Sequence, residues 1–257
     1  ALNSSLSKTI PWNATSDANP ILHVRKHNKY GSDQINAFKS LKASYLMTSS
    51  FSYGMQEAAI VQNVNISWTN LKNSLTTTLY HSMFGNSLIS IPVCGSTSYY
   101  NVTHEELCMR WYLLAVTFPV FRVSSEEPRR DSFSLKYAFY KNAIYRAIRN
   151  RYMLLPYYYS LLSRGEPLVR PMFYDFHFDN KTFDLDEQYM LGDALLVAQP
   201  LLPYTSNLRV YLPPDVGIWY EFWSGMKYNG AGWINLFIVN TDWVMFFAEG
   251  NIIPLRN

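Results

Sequence analysis

A chain of 257 residues that is 48% hydrophobic and 16% charged carries enough apolar side chain to bury a sizeable core and is too evenly mixed to be disordered. Its net charge of +3 is small, and Lys and Arg are scattered along it, which gives no footing for nucleic acid or an anionic membrane surface. The longest apolar run, 111–121, includes Thr117 and Pro119; it falls well short of the roughly 20 residues of a membrane helix, so no transmembrane segment is expected in this chain.

Residues 1–22 are rich in Ser, Asn, Thr and Pro without a period and read as an exposed loop. A helical stretch runs from Gly31 through Ala37 and Leu41, and residues 43–50 read as a strand leading into a long loop, 48–68. Residues 68–84 are helical, with Leu71, Leu75 and Leu79 on one face, and 86–95 form the next strand. A helix over 104–116 leads to Arg122, and a long one over 134–164 carries Ile144, Ile148 and Leu155 on one side. Pro156 is expected to kink that helix or to begin a new segment. Beyond residue 186 the pattern shortens to strands punctuated by Pro and Gly, at 191–200, 208–213, 217–225 and 244–254.

No signal-peptide pattern is visible at Ala1. Five Asn-x-Ser/Thr sequons, at Asn3, Asn13, Asn65, Asn101 and Asn180, nevertheless place the chain in the secretory pathway, either secreted or on the outer face of a membrane. Cys94 and Cys108 are the two cysteines, and an even count beside sequons favours a disulfide closing a short loop over two reduced core thiols. The five His residues show no ligand spacing and no Gly-rich phosphate loop follows a strand, so neither a metal nor a cofactor is expected.

Several blocks carry a family likeness. Residues 26–31, Lys-His-Asn-Lys-Tyr-Gly, resemble Val-His-Asn-Leu-Tyr-Gly; residues 101–111, Asn-Val-Thr-His-Glu-Glu-Leu-Cys-Met-Arg-Trp, stand beside Asn-Thr-Thr-Glu-Glu-Leu-Cys-x-Arg-Trp. Residues 151–159 and 170–176 match Arg-Tyr-x-Leu-Leu-Pro-Tyr-x-Tyr and Arg-Pro-Leu-Phe-x-Glu-Phe. These are motifs of glycoside hydrolase family 31, the retaining α-glucosidases, which the chain resembles from about His27 to Leu255. The resemblance implies the second part of a (β/α)8 TIM barrel over 1–188 and an all-β sandwich domain over 189–257. It also pairs Cys94 with Cys108.

Within this resemblance the pocket positions depart from the family. Aligning Phe51 and Trp68 puts Thr48 where a substrate-binding Arg belongs, Ala59 and Ile60 on a His-Trp pair, and Asn63 on the Asp that serves as general acid/base. A retaining glycosidase needs that second carboxyl to protonate the leaving oxygen, and an amide has no titratable proton to offer. Further along, Pro92 stands for a sugar-contacting Asp and Ser124 for a ring-binding His, while Arg122 is retained. The nucleophile segment lies upstream of the matched region, so the resemblance implies that these residues fold against the N-terminal half of the same barrel, as a separate chain or as another part of the precursor.

The expectation is a catalytically inactive α-glucosidase-like subunit whose surface binds another protein. Two alternatives stay open: an active α-glucosidase in which Glu57, six residues before Asn63, supplies the proton, and a lectin-like receptor holding a glycan on aromatics such as Tyr53, Trp68 and Tyr99. Asn65, two residues beyond Asn63, would place an attached glycan near the former pocket mouth.

Overall fold

The computed structural model describes residues 10–15, 20–39, 47–48, 58–62, 64–94, 105–123, 131–230, 232–239 and 242–256. The first part alternates strands and helices: α1 (His23–Lys26), α2 (Tyr30–Phe38), β1 (Met47–Thr48), β2 (Ala59–Val61), α3 (Trp68–Met83), β3 (Ile89–Pro92), α4 (Glu105–Ala115), β4 (Val120–Arg122) and α5 (Ala138–Ser163). Among the described residues β1 to β4 form one parallel sheet in chain order. Parallel neighbours need crossovers, and α3 and α4 are those from β2 to β3 and from β3 to β4, which makes this a run of βα units as in a TIM barrel.

Local chemistry explains the helices. The extended Ser67 caps α3, its hydroxyl oxygen accepting the Asn70 N–H at 3.0 Å, which contributes about 1 kcal/mol. Leu71, Leu75 and Leu79 then bury the stripe that their spacing foretells. In α4 nearly every residue is buried, including Trp111 and Arg110, because α3, α5 and the β-domain core enclose it in one cluster. Pro156 lies inside α5, which continues as one helix to Ser163; no new segment begins there.

Arg151 of α5 ties the α4–β4 connection in place. Its guanidinium donates to the carbonyls of Val116, Phe118 and Pro119 at 2.7, 2.6 and 2.9 Å, and it lies over the rings of Phe121 and Tyr158. Burial lowers its pKa, although a guanidinium stays charged even so.

The second part is β. Strands β5 (Val169–Arg170), β6 (Gln188–Leu191), β7 (Leu195–Ala198), β9 (Ile218–Glu221), β10 (Lys227–Asn229) and β12 (Val244–Ala248) make a sheet ordered β10-β9-β12-β7-β6-β5. A second sheet pairs β8 (Asn207–Leu212) with β11 (Gly232–Phe237). Leu208, Val210 and Leu212 of β8 pack against Met190, Leu196, Phe246 and Trp219 of the larger sheet, the face-to-face core of a sandwich. A short helix, α6 (Met172–Asp175), lies in the connection from β5 to β6. The division expected after residue 188 passes through β6, just inside its first residue, and leaves β5, the neighbour of β6 in this sheet, on the barrel side; the Arg-Pro-Met-Phe segment assigned to the barrel end begins at the last residue of β5.

Buried polar contacts lock the two parts together. Thr117 and Tyr189 share a hydrogen bond of 2.6 Å, Arg110 donates to the Asp242 carbonyl at 3.0 Å, and Tyr157 donates to the Leu191 carbonyl at 2.9 Å while accepting the Ala194 N–H. Burial holds the Tyr157, Tyr158 and Tyr189 phenols neutral by raising their pKa values.

Candidate functional site

The C-terminal ends of parallel strands are where a barrel of this kind places its chemistry. Register decides which side chains meet there. Val61 pairs with Ser90, Ser90 with Val120, and Pro92 with Arg122, so by the two-residue period these share one face, together with Ala59. The other face carries Ile60, Ile89, Ile91 and Phe121. Ile91 belongs to the core beneath the helices, with Phe121 packed against it.

The inner face therefore presents the hydroxyl of Ser90, the cyclic side chain of Pro92 and the guanidinium of Arg122. Arg122 Nε and Nη2, Ser90 Oγ and the neighbouring Gln62 Nε2 are buried without a hydrogen-bond partner among the described residues. Burial lowers the Arg122 pKa. No Asp or Glu occurs among the described residues of β1 to β4 or their ends. This set can hydrogen-bond a hydroxyl-bearing or anionic ligand, whereas proton transfer from a carboxyl needs a residue from elsewhere.

Pro92 is tolerated in an inner strand for a local reason. β2 has ended at Val61 before the ladder reaches Pro92, so the missing N–H interrupts no described pairing, and on the other side the Val93 N–H donates to the Arg122 carbonyl at 3.3 Å. Cys94, at the end of β3, and Cys108, in α4, form a disulfide with their Cα atoms 4.7 Å apart, which anchors this strand end to the helix.

The sequence-derived positions divide. Ala59, Pro92 and Arg122 come together on the inner face. Ile60 does not: it packs with Ile35 of α2 and Ala58 in a small apolar cluster, so its apolar nature has a packing reason on the helix side. For Thr48 the backbone is described, pairing with Ile60. Asn63, Glu57, Ser124, Tyr53 and Tyr99 lie outside the described residues, as do the sequons at Asn3 and Asn101. Asn13, Asn65 and Asn180 are exposed. Trp68 is partly buried against the main core. Sequence reading passed over Gln62 and Ser90; the alternation Ile89-Ser90-Ile91 was the available signal, since one polar residue between two buried isoleucines faces the opposite side.

Among the described residues no helix is long and apolar enough to cross a membrane, and no group of three or more His, Cys, Asp or Glu side chains is placed to hold a metal.

Comparison with known proteins divides the chain at the end of α5. Residues 3–161 match the glycosyl hydrolases family 31 TIM-barrel domain, and residues 165–253 the glycosyl hydrolase family 31 C-terminal domain. Human neutral alpha-glucosidase C is 30% identical over 250 residues, which is 91% of this chain and 27% of that protein. Mouse neutral alpha-glucosidase AB is 31% identical over 193 residues, 73% of this chain and 20% of its own. Among solved structures, the cycloalternan-forming enzyme from Listeria monocytogenes in complex with a pentasaccharide substrate superposes with a TM-score of 0.86 at 25% identity, covering 95% of this chain and 25% of that one. The dextranase of Flavobacterium johnsoniae, complexed with glucose, gives 0.82 at 22% identity over 95% of this chain and 32% of its own, a likeness of fold. The chain thus spans about a quarter of the length of these relatives.

Proposed function

Since this chain belongs to glycoside hydrolase family 31, we propose that it is a catalytically inactive α-glucosidase-like chain of a secreted glycoprotein, acting as a binding or structural subunit. The observation that carries this reading is the pairing of Pro92 with Arg122. The cation of the pocket face is kept, and the position beside it, where the resemblance calls for a carboxylate, holds a residue with no side-chain acceptor. Asn63 in place of the general acid extends the same pattern.

The open sheet supports a second element of the reading. β1 and β4 are the outer strands of a four-stranded parallel sheet among the described residues, half of what a closed barrel needs. The N-terminal half of the barrel, contributed by another segment or another chain, covers those edges. Glycosylation at the exposed Asn65, just beyond β2, sets a hydrated chain at the rim of the same face.

The test is hydrolysis of an aryl α-glucoside and of maltose by the intact native protein containing both halves, with an iminosugar to identify contaminating glucosidase. Neither substrate is expected to turn over. Inhibitable turnover of both overturns the reading and assigns the missing acid to Glu57. Turnover of the aryl substrate alone keeps the nucleophile and isolates Asn63 as the defect, because a good leaving group needs no proton.

A further inference from the structure

A groove of about 1230 Å³ lies away from the strand-end face, between α5 and the β-domain. One wall is α5, where Tyr145 and Tyr152 stand seven residues apart with relative exposures of 68% and 58%. Seven residues are two helical turns, about 10 Å along the axis, so the two rings project from the same side as separate plates. The other wall carries Trp223, 45% exposed and propped edge-on by Phe222 and Trp243 at centroid distances of 4.8 and 6.4 Å.

Charged and amide side chains line the same space. Arg146 and Asp242 form an ion pair of 3.3 Å while each stays about half exposed, and Asn150 also faces the groove; the Glu221 carboxylate there accepts from the Trp223 and Ser224 N–H groups and holds the Trp223 turn. We propose that this groove is a carbohydrate-binding site distinct from the barrel face, taking a neutral oligosaccharide of hexopyranose units. A pyranose ring presents an apolar C–H face, which an aromatic plate covers, and a rim of hydroxyls that both donate and accept. Planar carboxylate, amide and guanidinium groups match adjacent hydroxyls in pairs.

The alternative occupant, a protein surface, fits the lining less well. Protein interface cores are depleted of charge, and burying the Arg146–Asp242 pair beneath an apolar partner removes its water without replacing the hydrogen bonds. A hydroxylated ligand leaves the pair solvated and satisfied. The lining sets Arg146, Arg149 and Arg256 against Glu221 and Asp242, a net charge of +1 in which two carboxylates stand against an anionic ligand.

This inference rests on family membership and is independent of whether the barrel face turns a substrate over. Its test is titration of the intact native protein with maltoheptaose, monitored by calorimetry and tryptophan fluorescence, with a saturating iminosugar present to block the barrel face. Saturable heat with a change in emission is expected. Trp223→Ala and Tyr152→Ala should each weaken binding at least tenfold, and Arg122→Ala should leave it unchanged. Tyr152 is exposed enough for its variant to fold even if the loss of Trp223 disturbs Trp243. Absence of saturable binding, indifference to both groove variants, or abolition by the iminosugar or by Arg122→Ala overturns the site. Hydrolysis of maltose would overturn the inactive reading above and leave this one standing.

Discussion

Pro92 and Arg122 are register partners at the C-terminal ends of β3 and β4, and the guanidinium beside the proline keeps two buried nitrogens unpartnered among the described residues. A carboxylate at position 92 would stand next to that cation. Pro92→Asp is therefore expected to couple favourably with Arg122, by about 1–3 kcal/mol for a charge-assisted hydrogen bond in a partly buried site. A double-mutant cycle of Pro92→Asp with Arg122→Met, read by chemical denaturation, measures the coupling; a value near zero would show that Arg122 finds its partner elsewhere.

Arg151 holds three carbonyls of the α4–β4 connection with one planar fork. Lysine has a single ammonium and cannot reach the same set, so Arg151→Lys leaves buried acceptors unmade. A loss of about 2–4 kcal/mol is expected, seen as a lower denaturation midpoint. A change below about 0.5 kcal/mol would mean that water replaces the fork.

Gly192, in the turn between β6 and β7, has φ +66, and a Cβ there would overlap the Tyr157 hydroxyl and Leu161 Cδ1. Gly192→Ala combines left-handed strain with displacement of a ring that bonds both Leu191 and Ala194. Destabilisation of about 3 kcal/mol or more is expected from thermal unfolding. Adding Tyr157→Phe should recover part of it by removing the hydroxyl that collides.

His81, near the end of α3 and 8% exposed, has its pKa lowered from 6.5 by burial. The unfolded chain then takes up a proton as pH falls through 6.5 while the folded chain does not, so stability falls with pH below that value, by up to about 1.4 kcal/mol per unit. Above 6.5 this contribution is constant. Comparing unfolding of the wild type and His81→Asn between about pH 5 and 7.5 isolates it: the difference between them should be flat above about pH 7 and should change only on the acid side.

What the sequence determined by itself is what local spacing and motif text carry. The stripe Leu71, Leu75, Leu79 names the buried face of α3, since a period near 3.6 has one solution in a helix packed on a sheet. The Pro- and Gly-punctuated runs after residue 186 name β7, β8, β9 and β12 but not β10 or β11, and the run at 191–200 joins the end of β6 to β7 across the turn at Gly192; the blocks at 101–111 and 151–159 name the family. Partners distant in the chain were not legible. Only the fold placed Val169–Arg170 beside Met190–Leu191, turned Ile60 toward Ile35 while its neighbour Ala59 faces inward, and set Pro92 next to Arg122. Strand pairing joins residues that share no local period, and a shift of one residue in register exchanges the two faces of a strand. Which pocket positions have lost their chemistry is therefore a question of register, decided where the strands meet.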